Sequence, residues 1–137
     1  MARNILRGVV GSYVRGDRAV VAAAHALRDS VLEMQRTIEA GDLEGVASGV
    51  TRYWELKKQM DPGSTNAFIE GVIEAVRPDA SGWTLTGAGG GGFLFVIAKS
   101  AAAAKRLRRV LSRGLHAASM LVPFEVDGAG LVVERDG

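Results

Sequence analysis

The chain has 137 residues, 47% of them apolar and 23% charged, enough for one globular domain with its own core and too few for two ordinary ones. Its formal charge is only +2, so a nucleic-acid or anionic-membrane partner is not expected, and the basic stretch Lys105-Arg106-Leu107-Arg108-Arg109 reads as a solvated helix face. Cysteine is absent, which excludes disulfides and thiolate metal sites and fits a cytoplasmic setting, and no apolar run reaches membrane-spanning length.

The first half carries helical periodicity throughout. Ile5, Leu6, Val9, Val10, Tyr13 and Val14 mark a first helix, which Gly16-Asp17 interrupts. Asp17 suits the N-cap of a second helix with a stripe of Val20, Leu27, Val31, Met34 and Ile38, and Gly41-Asp42 stops it and caps the next. The third helix is expected over about 43–60, ended by Asp61-Pro62-Gly63. Ser64, Thr65 or Asn66 can cap a fourth, bearing Phe68, Ile69, Val72, Ile73 and Val76 and stopped before Pro78.

From Gly82 the period changes to that of strands. Residues 83–86 and 93–98 read as two strands around a glycine-rich turn, and the unbroken apolar run 93–98 predicts a central strand covered on both faces. Ser100 caps a helix expected to reach Leu115, with Leu107, Val110, Leu111 and Leu115 inward. Met120, Val122, Phe124 and Val126 then alternate along a strand, Asp127-Gly128 turns the chain, and residues 131–134 return. The fold class is therefore α+β: an N-terminal group of helices (about 1–78), then a small antiparallel sheet with one packed helix (about 82–135).

Gly87-Ala88-Gly89-Gly90-Gly91-Gly92 fits the G-x-G-x-x-G pattern, but a strand follows it, whereas a dinucleotide-binding loop must open a helix. A protein-kinase loop has the right strand–turn–strand context, yet no H-R-D or D-F-G motif follows Lys99. A tight hairpin needs one or two glycines, not five, and each extra one costs roughly 0.5–1 kcal/mol in chain entropy against alanine. Such a run points to a backbone that is approached closely by a ligand, a phosphate or another loop. The two histidines, His25 and His116, have no second ligand at metal spacing, so neither a metal site nor a catalytic acid or base is expected.

The stretch Leu85-Thr86-Gly87-Ala88-Gly89-Gly90-Gly91-Gly92-Phe93 resembles the third signature motif of the GHMP kinases. Tyr53-Trp54-Glu55-Leu56-Lys57-Lys58, Asp61-Pro62-Gly63, Asn66 and the opening Ala2-Arg3-Asn4-Ile5-Leu6 are similar to the branch of fucose and heptose-phosphate kinases. The resemblance implies the C-terminal lobe of a two-lobed sugar 1-kinase, with ATP and Mg2+ used by the complete enzyme. It places Gly87–Gly92 at the phosphate and substrate pocket and makes Arg3, Lys57, Lys58 and Asn66 candidate cleft contacts.

Solvated lysines at a helix end and an asparagine cap are the plain readings of three of those positions. The family's nucleotide loop, P-x-x-x-G-L-G-S-S-A, does not occur among these residues. The chain alone is thus expected to be inactive and to hold no cofactor, its partners being an N-terminal kinase lobe and a small sugar, with self-association through uncovered apolar surface. A stand-alone binding module of the same fold is the alternative.

Overall fold

The computed structural model describes residues 2–113, 120–130 and 132–133. Its helices are α1 (Ala2–Val14), α2 (Arg18–Glu39), α3 (Leu43–Met60), α4 (Ala67–Val76) and α5 (Ala101–Ser112), with a 3-10 turn at Pro62–Ser64. Strands β1 (Ala80–Leu85) and β2 (Leu94–Ala98) pair antiparallel, from Leu85 opposite Leu94 to Ala80 opposite Ala98, with a register shift between Ala80 and Gly82. No described helix is long and apolar enough to cross a membrane. The α+β order expected from the pattern is the observed one.

Local chemistry explains the boundaries. The Asp17 carboxylate accepts from the amides of Ala19 and Val20, Asp42 from Gly45, Asn66 from Ile69, and the Ser100 hydroxyl from Ala103, so the starts of α2 to α5 each have one or two of their open donors met. Gly16 and Gly41 take φ values of 75° and 67°, which closes α1 and α2 with left-handed residues.

The core lies where α3, α4 and α5 meet β1: Trp54, Ile69, Ile73, Val76, Trp83, Leu85 and Leu107 are all buried. Gly82 makes the contact between α3 and β1 close. A Cβ there would stand 2.2 Å from the Ala47 carbonyl oxygen, so only hydrogen fits between helix and strand. Thr51 fixes the crossing by accepting the Trp83 amide through its hydroxyl at 3.1 Å.

Several sequence expectations are corrected. β1, not β2, is the strand buried against helices; β2 is half-buried along its length, because α3 crosses β1. No third strand forms within 120–130, although the Phe124 ring meets that of Phe95 at 5.7 Å between centroids. The expected return strand includes Leu131 and Glu134, and the expected end of α5 includes Leu115; these lie outside the described residues. On α2, Val31 and Ile38 face outward beside an open apolar groove against α3, lined also by Met34, Val50 and Tyr53. Val110 on α5 is likewise exposed, the inward face being carried by Ala103 and Leu107.

Candidate functional site

The glycine-rich loop joins β1 to β2 and is hooked onto the chain that links α3 to α4. Gly87, Gly89, Gly90 and Gly92 all have positive φ, from 70° to 100°, while no other residue type in the described chain does. Glycine is therefore demanded by conformation at four of the loop's six positions. At Gly89 space demands it too, since a Cβ would lie 2.5 Å from the carbonyl oxygen and 2.8 Å from the Cα of Ser64. Gly91 is different: its φ is not positive, and a Cβ there would meet open space.

Three groups hold the loop. The Gly90 amide donates to the Ser64 carbonyl in a short hydrogen bond. The Asn66 side-chain amide reaches the Gly90 carbonyl at 3.5 Å while its oxygen caps α4, which sets the loop against that helix's N-terminus. Lys57, from the last turn of α3, donates from Nζ to the Leu85 carbonyl at 2.8 Å and to the Gly87 carbonyl at 2.6 Å. At the mouth, the Thr86 amide bonds the Phe93 carbonyl.

The four candidate cleft residues divide. Lys57 is buried beneath the loop, with Nζ 5.3 Å from the Tyr53 ring centroid and 5.4 Å from that of Trp54. Burial pushes its pKa below the ordinary lysine value. Lys58, its Nζ 5.8 Å from the Trp54 centroid, reaches instead to Glu55 at 2.9 Å and Glu70 at 3.5 Å, and Thr65 Oγ1 donates to the same Glu70 carboxylate at 2.7 Å. Asn66 touches the loop. Arg3 is exposed on the first turn of α1 and makes no hydrogen bond or ion pair among the described residues. Its helix is nevertheless seated by buried Ile5 beside Gly63, in the turn that ends at Ser64.

Ser64 is the site residue that sequence reasoning missed. It acts through its backbone carbonyl, which no side-chain pattern encodes, and it figured only as one of three candidate caps.

The amides of Gly87, Ala88, Gly89, Gly91 and Gly92 have no protein acceptor among the described residues. Successive amides around left-handed glycines are the kind of backbone that can cradle anionic oxygens. The loop supplies no acid, base or nucleophile. Among the described residues no group of three or more histidine, cysteine, aspartate or glutamate side chains could hold a metal ion.

The sequence is similar to known proteins over most of its length. The family described as "GHMP kinases C terminal" matches residues 34–117, a span that runs from within α2 through the loop and α5. A bifunctional fucokinase/GDP-fucose pyrophosphorylase from Arabidopsis thaliana is 31% identical over 111 residues, 81% of this chain and 10% of that protein. An L-fucokinase/L-fucose-1-P guanylyltransferase from Bacteroides fragilis is 30% identical over 135 residues, 98% of this chain and 14% of its own length. The chain thus spans a small part of both relatives.

Proposed function

Because the chain belongs to the GHMP kinase C-terminal family, we propose that it serves as the C-terminal lobe of an L-fucose 1-kinase, its glycine loop forming one wall of the pocket where ATP and sugar meet. The observation that carries this reading is the loop itself, with unpaired amides around four left-handed glycines and anchors at Ser64, Asn66 and Lys57. Similarity to two fucokinases supports fucose as the sugar.

The reaction moves the γ-phosphoryl group of ATP to the anomeric hydroxyl and leaves ADP and L-fucose 1-phosphate. Phosphoryl transfer needs the phosphates neutralised and the sugar hydroxyl positioned in line. This chain supplies backbone amides for the first task. The nucleotide loop, the Mg2+ ligands and the group that receives the hydroxyl proton belong to the N-terminal lobe of a complete kinase. That lobe would also cover the exposed apolar side chains of α1, among them Leu6, Val10 and Val14.

The test has two arms. The 137-residue chain alone should produce no fucose-dependent ADP, and turnover by it would overturn the half-enzyme reading. A chimera that carries this chain in place of the matching stretch of the Bacteroides fragilis protein should phosphorylate L-fucose. A folded chimera that uses a heptose phosphate and not fucose would overturn the substrate assignment.

A further inference from the structure

We propose that Lys57 is the positioning residue of the glycine loop, its Nζ tying the carbonyls of Leu85 and Gly87 to the last turn of α3 and so setting the backbone conformation of Gly87–Gly92. The significance of the device rests on the loop being the ligand-facing turn, although the device itself is a property of the free chain.

Burial makes Lys57 unusual. Its relative exposure is 7%, and among the described residues it forms no ion pair with a carboxylate. Buried lysines are rare unless paired. The adjacent Lys58, on the same helical turn, takes the ordinary solution of two glutamate partners at a partly open surface. What compensates Lys57 is the negative end of two carbonyl dipoles, at 2.8 and 2.6 Å, and the faces of Tyr53 and Trp54. Tyr53 and Trp54 stand four and three residues before it, the spacing that puts all three on one side of α3. Hydrogen bonds from an ionised donor are about twice as strong as neutral ones.

The loop needs such an anchor. A stretch with five glycines in six residues has much chain entropy to lose on ordering. Among the described residues, its other hydrogen bonds to the protein are the Gly90–Ser64 bond and the long contact from Asn66, both at Gly90. Lys57 holds the near side, where β1 ends. With Gly87 and Gly90 both pinned, left-handed Gly89 between them is confined to one geometry. Lys57 therefore acts on any bound phosphate through the backbone, not by touching it.

The experiment uses the labelled 137-residue chain without ligand, so its result is independent of whether fucose is the substrate. In the wild type, a hydrogen-bonded Lys57 ammonium should give a slowly exchanging proton–nitrogen resonance near neutral pH. The backbone amides of Gly87–Gly92 should show order parameters near those of rigid backbone, roughly 0.85. In Lys57→Met the loop values should fall below about 0.6 while those of α2 and α5 stay unchanged. Lys57→Arg, which keeps a donor for both carbonyls, should retain an ordered loop.

Loop order unchanged in Lys57→Met, or lost equally in the Arg variant, overturns the proposal. Uniform loosening of the whole chain in Lys57→Met, restored by Arg no better in the loop than elsewhere, also overturns it in favour of a general packing role. Should Lys57→Met fail to fold, the Arg variant and the ammonium resonance decide: a folded wild type without that resonance overturns the assignment.

Discussion

Replacing Gly89 and Gly91 separately by alanine distinguishes a built loop from a merely flexible one. At Gly89 the backbone has φ of 92°, where an L-residue pays roughly 1–2 kcal/mol. The new Cβ would also stand 2.5 Å from the Ser64 carbonyl oxygen and 2.8 Å from its Cα. Both are backbone atoms of a turn whose Ser64 is buried, so neither can swing aside as a long side chain would. Relief requires the loop to lift away, which breaks the Gly90–Ser64 hydrogen bond at a further cost of about 0.5–1.5 kcal/mol. Gly89→Ala should therefore destabilise by roughly 1.5–3.5 kcal/mol in total, limited by the free energy of opening the loop locally.

Gly91 has no positive φ and no neighbour within 4 Å of an added Cβ. There alanine restricts the unfolded chain and should be neutral or stabilise by up to about 1 kcal/mol. Urea titration followed by tryptophan fluorescence suits the comparison, because Trp54 and Trp83 both sit in the core. Equal losses in the two variants, or Gly89→Ala within about 0.5 kcal/mol of wild type, would refute the reasoning.

Gly82→Ala should cost about 2–3 kcal/mol by driving a methyl group into the Ala47 carbonyl and parting α3 from β1, and a Tm within about 2 °C of wild type would contradict that. Asn66→Ala should cost about 1 kcal/mol through loss of the α4 cap, whereas Asn66→Asp, which keeps the accepting oxygen, should stay within about 0.5 kcal/mol of wild type; matched losses in denaturant titrations would show that the cap is not the cause. Lys57 has its pKa lowered by burial, so between that value and the roughly 10.4 of a free lysine the unfolded chain binds more protons than the folded one. Stability of the wild type relative to Lys57→Met should accordingly rise with pH through that window, and a difference that stays flat up to the roughly 10.4 of free lysine in denaturant titrations would argue against a buried ammonium.

What the sequence determined by itself is the set of features whose partners are a turn away. Asp17, Asp42, Asn66 and Ser100 cap their helices through amides two or three residues on, and α3 covers 43–60 as its periodicity and the Asp61-Pro62-Gly63 stop require. The glycine loop was legible as a loop because left-handed backbone selects glycine residue by residue. Its place in the GHMP pattern was legible for the same reason.

Tertiary structure decided everything that depends on which surfaces meet. Val31 and Ile38 fall on the same helical stripe as buried Val20, yet they stay exposed along an open groove against α3. The apolar run of β2 promised a strand covered on both faces, but α3 crosses β1, and residues 120–130 form no third strand. Lys57 and Lys58 are the same residue type on the same turn, and residue type alone does not separate them. One points into a space closed by carbonyls from 28 and 30 positions away, the other towards glutamates at its surface. Local patterns record hydrogen bonds within a turn of chain, whereas the anchoring of this loop depends on backbone carbonyls of distant residues, which every sequence has and none displays.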